Sequence, residues 1–514
     1  MNKTTIKTLR DLMTRSAELY TDMIFVKEKA GKEISEKTFQ DMCHDSLSIS
    51  NYLLSELNED IHAAVIGPTS YAYLVSYFGT VSTGNVMVPL DALLPCPDLC
   101  ELLQRADVNV FFYDAKYLPM LDAIKAACPK ITTYICLQEC ENGLSIPALL
   151  SKYEPATKLP EITPDTLAAI VYTSGTTGKS KGVMLSHGNL IDNTMCRDNE
   201  STPGDSLLSV LPIHHVYCFT CDILLAFRYG TTICVNDSMM RIGMNLKLFQ
   251  PNVILLVPMI AETIYKQIKA ASAAKPELPI QAIAQSVFGG KLKGIYSGGA
   301  YLAPELIAAY AELGIPIAQG YGMTECSPRI TSGCFTEKSF GDVGIIVNGC
   351  DVKVVDGEIV VKSPSVMQGY YKDPEATAEV LDEDGWLHTG DLGYVENNRV
   401  FITGRKKNLI ILSNGENISP EELENKFAGI DSVAEVLVYA EDGVITAEIV
   451  PNPEYVKDME KAEIAAKINE LIKNINTTVI SSKTIRRIRL RDKEFDKTTS
   501  RKIKRQQTEQ GVII

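Results

Sequence analysis

An α/β protein in two unequal parts is what this sequence predicts: a large N-terminal domain of stacked α/β sheets and a small α+β C-terminal domain. Three observations predict it. Short apolar runs ending at turn residues recur through much of the chain, as strands buried on both faces do. Segments with helical spacing alternate with them. After Asp391 the texture changes to a strand, a proline-started helix and a strongly basic C-terminal stretch.

In order, buried strands are expected at residues 63–67, 86–90, 108–112 and 253–257, with amphipathic helices between them. Residues 399–404 read as a further strand. Ser419-Pro420-Glu421-Glu422-Leu423-Glu424 then reads as a helix start, with proline at the first helical position. The boundary between domains is placed near Arg405, giving 1–404 and 405–514. A chain of 514 residues exceeds what a single core supports, and 45% hydrophobic content leaves ample material for burial. No internal repeat or low-complexity tract interrupts this pattern.

Charge and cysteine usage narrow the function classes. A net charge of −14 argues against nucleic acid as a general partner, because phosphate backbones require a basic face. The basic stretch at residues 483–505 runs against that balance. Such a run is usually a solvated face; the sharper alternative is a site for nucleotide or coenzyme A phosphates. No apolar run reaches the roughly 18 residues of a membrane span, and the first ten residues lack an apolar signal core, so a cytoplasmic location is expected. Thirteen scattered cysteines read as reduced, mostly buried thiols. Cys218 and Cys221 follow His214 and His215 closely, but without a second ligand pair at zinc-type spacing a metal site is not expected there.

The chemistry concentrates first at residues 171–188, where a strand-like run leads into Thr173, Ser174, Gly175, Thr176, Thr177, Gly178, Lys179, Ser180 and Lys181. Glycines let backbone N–H groups converge on an anion, the hydroxyls add donors, and Lys179 and Lys181 add charge. A Walker A loop would need a glycine where Thr173 stands, so that spacing fails.

The loop resembles instead the phosphate loop of the adenylate-forming enzymes, the superfamily of acyl-CoA synthetases, adenylation domains and beetle luciferases. Further blocks follow in that family's order: Gln319-Gly320-Tyr321-Gly322-Met323-Thr324-Glu325, Trp386-Leu387-His388-Thr389-Gly390-Asp391, Gly404-Arg405-Lys406-Lys407 and Lys497-Thr498-Thr499-Ser500-Arg501-Lys502-Ile503. The resemblance covers nearly the whole chain. It implies ATP, Mg2+ and coenzyme A as cofactors, with Thr173, Ser174, Gly175, Thr177, Gly178, Lys181, Gln319, Gly320, Gly322 and Thr324 around the nucleotide and Thr176 among the catalytic residues. This sequence departs from the family at Ser180, Asp496 and Arg501, where proline, proline and glycine are usual.

Each block also has a chemical reading. Tyr321, in a glycine-flanked turn, offers a face on which adenine could stack; the plainer alternative is a core tyrosine. Glu325 offers a hard oxygen to a magnesium ion bridging phosphates. Asp391 suits a carboxylate accepting both ribose hydroxyls, and Arg405 adds a fork of donors to ribose or phosphate. Lys502 is the expected adenylation residue, a mobile cation meeting the charge that builds on phosphorus and the leaving pyrophosphate. The resemblance implies a mobile C-terminal lid hinged at Lys407, which withdraws Lys502 and brings the loop around Gly415 to the active site for the thiol step.

The acyl pocket is expected at residues 211–219, where the paired histidines resemble long-chain fatty acyl-CoA synthetases. His215 is expected among the catalytic residues, with His214, Tyr217, Gly298, Gly299, Ala300 and Met323 as substrate neighbours; either histidine could instead be a hydrogen-bonded core residue. No aspartate stands within residues 211–220 to bind an α-ammonium, which argues for an unsubstituted acid. The expected activity is ATP-dependent activation of an apolar, fatty carboxylic acid and transfer to the thiol of coenzyme A. Transfer to the phosphopantetheine arm of a carrier protein, or a silent AMP-binding regulatory protein, are the alternatives.

Overall fold

Two parallel-rich sheets carry most of the N-terminal part of the computed structural model, which describes residues 1, 5–57, 60–141, 143–173, 180–197, 199–337, 339, 341–411, 417–497, 503–505 and 512–513. The first has eight strands in the order Gly369–Tyr370, Lys181–Ser186, Leu167–Thr173, Val86–Leu90, His62–Ile66, Val110–Tyr113, Thr133–Cys136 and Leu144–Ser145. Ala64 lies opposite Val88 on one side and Phe111 on the other, all parallel and all fully buried. That is why these strands read as continuous apolar runs.

The second sheet orders seven strands as Ile317–Gln319, Gly294–Ser297, Val253–Leu256, Ser206–Ser209, Thr232–Val235, Ile24–Ala30 and Glu33–Thr38. It is parallel except at Glu33–Thr38, an antiparallel edge strand. A third, antiparallel sheet joins Thr331–Ser332, Ile345–Ile346, Arg399–Arg405, Leu387–Glu396, Glu358–Lys362 and Asp351–Val355.

The strand expected at 108–112 starts later, at Val110. The preceding helix, Cys96–Arg105, is closed by Asp107 in the left-handed region (φ 54°), and the Val108 N–H returns to the Leu103 carbonyl. Val108 is thus part of the helix ending rather than the ladder. The strand expected at 399–404 extends to Arg405, which pairs with Asp391.

Beyond Arg405 the chain forms a ribbon of Ile410–Ile411 with Asn417–Ile418, and a four-stranded sheet of Val433–Glu441, Val444–Pro451, Arg487–Leu490 and Val512–Ile513. These close over their own apolar cluster, which includes Ile418, Leu423, Val438, Ile449 and Ile472. Ser419 caps the helix Pro420–Glu424 by accepting from the Glu422 N–H at 3.4 Å, with proline at its first turn. Among the described residues, no helix is long and apolar enough to cross a membrane.

Candidate active site

One cavity of about 1270 Å³ opens where strands of the first two sheets end. At its polar end, Leu167–Thr173 and Lys181–Ser186 form a hairpin in which Thr173 sits opposite Lys181. That register brings both into the cavity wall. Ser174, Gly175, Thr176, Thr177, Gly178 and Lys179 lie outside the described residues.

Lys181 is held against the ring of Tyr370, its Nζ 4.8 Å from the centroid. Tyr370 belongs to the short strand Gly369–Tyr370, which pairs with the same hairpin, and its hydroxyl donates to Glu325 Oε1 at 2.8 Å. A cation, a phenol and a buried carboxylate therefore meet at one end of the cavity. Hard oxygen from Glu325 beside hydroxyls fits a divalent cation that also binds phosphate oxygens.

The turn at residues 319–325 forms the next part of the wall. The strand Ile317–Gln319 ends at Gly320, whose N–H donates to the Ser297 carbonyl at 2.9 Å, and the chain then folds back so that Gly322 bridges Arg329. A Cβ at Gly322 would collide with the Pro328 carbonyl, so the turn accepts only glycine there. Gln319, Gly320, Tyr321, Gly322, Met323, Thr324 and Glu325 all line the cavity.

Tyr321 donates its hydroxyl to Asp391 Oδ2 at 2.7 Å, and Arg405 Nε lies 2.7 Å from the other carboxylate oxygen. Asp391 is buried and does not itself line the cavity, whereas Tyr321 and Arg405 do. In this arrangement both oxygens of Asp391, expected to accept ribose hydroxyls, already accept, and Arg405 and Tyr321 stand between it and the cavity. Burial, then the Asp391 charge, pushes the Tyr321 phenol well above its ordinary value. Beside them, Glu358 accepts from Lys406 Nζ and the Gly390 N–H, both at 2.9 Å, with His388 Nδ1 at 3.3 Å. Burial works to raise the Glu358 carboxyl, but these partners hold it below its usual value. Lys406 and Lys407 complete this side of the cavity.

Away from the phosphate end the wall becomes apolar, with Leu207, Leu211, Leu225, Val253, Leu255 and Ile260 among its residues. His215, Tyr217 and Gly299 face this region. Gly298 is behind it: a Cβ there would stand 2.9 Å from the Tyr217 hydroxyl, so its role is to let that phenol approach. Ala300 is exposed and does not reach the cavity. His214, expected beside the substrate or as a core residue, is not among the residues of the cavity wall. It turns away from the cavity, ring to ring with His215 at 4.2 Å and 3.7 Å from Asp91 Oδ2. Burial, and then His215, depresses it far below the ordinary imidazole value, which makes it a neutral core histidine. Lys502 and Gly415 lie outside the described residues.

The profile of the AMP-binding enzyme family matches residues 13–371, and that of the AMP-binding enzyme C-terminal domain matches 407–511. The chain belongs to this family. It is 28% identical, over 62% of its length, to probable acyl-activating enzyme 16, chloroplastic, of Arabidopsis thaliana, and 31% identical, over 58%, to long chain acyl-CoA synthetase 7, peroxisomal, of the same plant. It spans about half the length of these relatives, 56% and 50%. In structure it resembles the anthranilate CoA ligase AuaEII in complex with anthranoyl-AMP, with a TM-score of 0.84 at 18% identity over 98% of each chain. At that identity the likeness carries the fold.

Several residues of this AMP-binding enzyme site were not legible as site residues. Tyr370 carries no motif of its own beyond a glycine-tyrosine pair ahead of the proline-started helix Pro374–Val380. Glu358 sits in an ordinary antiparallel strand. Asp222, two residues past the aspartate-free stretch 211–220, lines the cavity and accepts from the Ser209 hydroxyl at 2.9 Å. Burial pushes its carboxyl up to about 7. Among the described residues, no group of three or more His, Cys, Asp or Glu gathers as a metal site.

Proposed function

We propose that this AMP-binding enzyme is an acid–thiol ligase that activates a carboxylic acid with a largely apolar tail and passes the acyl group to coenzyme A. The observation that carries this reading is the continuity of a single cavity from Lys181, Tyr370 and Glu325 to the apolar wall around Leu211 and Val253. A triphosphate and an acyl chain can be held end to end in such a space.

In the proposed reaction the carboxylate attacks the α-phosphorus of ATP, forming acyl-adenylate and releasing pyrophosphate. The thiol of coenzyme A then attacks the acyl carbon, AMP leaves, and the thiol proton is released. Magnesium, when bound, would neutralise phosphate charge, with Glu325 as its protein ligand. Lys181 and the loop at residues 174–179 would hold phosphates; Tyr321 would carry adenine on its face, while Asp391, reached through Tyr321 and Arg405, would order the ribose side. His215 and Tyr217 would flank the reacting carboxylate. The domain division at Arg405 belongs to this proposal, with Lys502 and Gly415 entering alternately as the lid turns about Lys407.

The test is pyrophosphate release over a panel of alkanoates, aromatic acids and α-amino acids, repeated with coenzyme A and with a holo carrier protein. Release with medium or long alkanoates and thioester formation on coenzyme A are expected. An α-amino acid that outpaces every alkanoate would overturn the apolar-tail reading, and thioester on the carrier protein alone would reassign the acceptor.

A further inference from the structure

A buried cation that forms no ion pair among the described residues stands in the cavity wall. Arg329, 8% exposed, follows the 319–325 turn and lines the cavity wall. Its Nε donates to Asn193 Oδ1 at 3.4 Å and one Nη donates to the Asn193 backbone carbonyl. That carbonyl belongs to the last turns of the helix His187–Met195, whose dipole offsets part of the charge. These contacts use two of the five guanidinium N–H donors. Among the described residues Arg329 forms no ion pair with a carboxylate, and the groups that bear on it are the thiols of Cys196 and Cys221 and the phenols of Tyr229 and Tyr296.

Desolvated donors without an acceptor are costly, and a charged one more so. Cys221 and Tyr296, which flank the guanidinium, also line the cavity. A second observation points the same way. Ser297 Oγ and Thr231 Oγ1, buried hydroxyls on the same cavity wall, have no hydrogen-bond partner among the described residues. An acyl pocket built for a plain hydrocarbon has no use for spare guanidinium donors and two hydroxyls without a partner among the described residues.

We propose that the acid activated here carries a second oxygen function, a hydroxyl or carbonyl, on its tail, and that the Arg329 guanidinium donates a hydrogen bond to that oxygen. This rests on the acid–thiol ligase reading and names its substrate class more closely. A neutral oxygen is favoured over a second carboxylate, because Asp222 stands on the same wall and bears, with Arg329, on Cys221. The oxygen satisfies donors that a hydrocarbon leaves bare, so discrimination comes from the polar group that goes unpaired when it is missing.

The experiment pairs each alkanoate with hydroxy- and oxo-alkanoates of equal length, the oxygen moved along the chain, and includes the matching dicarboxylates. Pyrophosphate release gives kcat/KM, and calorimetry gives direct binding of the same acids. At least one hydroxy or oxo acid is expected to exceed its parent by about tenfold, as a hydrogen bond to a charged group allows. Arg329→Met should then lower kcat/KM for that acid by about tenfold more than for the parent. Parents that equal or exceed all their oxygenated partners in wild-type enzyme would overturn the proposal while leaving the ligase reading intact. So would an advantage that Arg329→Met leaves unchanged, and so would a clear preference for the dicarboxylates. If Arg329→Met does not fold, Arg329→Lys keeps the charge at the helix end but loses the planar fork, and should lose most of the advantage. If no acid releases pyrophosphate, the ligase reading fails; tighter binding of the oxygenated acids would still support the role of Arg329, and equal binding would overturn it.

Discussion

The hydroxyl of Tyr321 donates to Oδ2 of Asp391 at 2.7 Å and so ties the glycine-flanked turn of the second sheet to a strand of the third. The bond sets the plane of the tyrosine ring in the cavity wall while Arg405 holds the opposite carboxylate oxygen. Tyr321→Phe keeps the aromatic face and removes only this tie. The expected outcome is a rise of roughly tenfold in KM for ATP with kcat little changed, since a hydrogen bond to a charged group is lost. Steady-state pyrophosphate release over an ATP titration measures it. An unchanged KM would show that the ring needs no anchor.

Glu325 and Tyr370 form a second tie, 2.8 Å long, next to Lys181. If Glu325 is the protein ligand of magnesium, Glu325→Gln should shift the magnesium concentration for half-maximal adenylation upward by about tenfold or more. Tyr370→Phe should shift it less, because it removes the partner that orients the ligand and not the ligand itself. A magnesium titration of both variants at saturating ATP decides it. Equal loss at every magnesium concentration would make Glu325 structural.

Lys502 and Lys407 are tested together by separating the half-reactions. Lys502→Ala should lower adenylation by roughly two orders of magnitude while thioester formation from supplied acyl-adenylate persists. Lys407→Pro should do the reverse, because proline holds φ near about −65° and denies a hinge its second state. Parallel losses in both half-reactions for either variant, with folding intact by circular dichroism, would remove that residue from its proposed role.

His187 provides a stability switch remote from the chemistry. It is fully buried, accepts from the Leu9 N–H through Nδ1 at 3.1 Å, and burial, with help from Arg10, pushes it down to about 4 from 6.5. A depressed native pKa means that the unfolded chain binds the proton first. This contribution is therefore intact above pH 6.5 and is lost as pH falls towards 4, by about 1.4 kcal/mol per pH unit. Asp222 acts in the opposite sense, since its raised pKa favours the native state as pH falls from about 7 towards 3.8. Denaturant melts of wild type and His187→Asn between those limits should show a flatter acid limb in the variant. Parallel curves would mean that His187 titrates normally in the native state.

What the sequence determined by itself is whatever depends on neighbours along the chain. The buried strand at 86–90, the Ser419 cap and the strand that leads to Thr173 were legible because propensity, apolar runs and proline position act over a few residues. So was the turn at 319–325, where Gly322 answers a steric demand made by Pro328, six positions on. The start of the strand at Val110 was missed because a left-handed Asp107 ends the preceding helix late, and an aspartate in sequence does not announce its φ.

Only the tertiary structure decided which side chains face the cavity. His214 and His215 are neighbours with the same chemistry, yet a change of direction over one residue puts His215 in the wall and His214 against Asp91. Tyr370 reaches Glu325 across 45 positions, and Asp391 lies behind Tyr321 across 70. Asp222 and Arg329 enter the acyl wall from two elements whose packing no local pattern encodes. The physical reason is that burial, and with it charge state and partner, is a property of the surfaces that close around a group, and those surfaces come from distant parts of the chain.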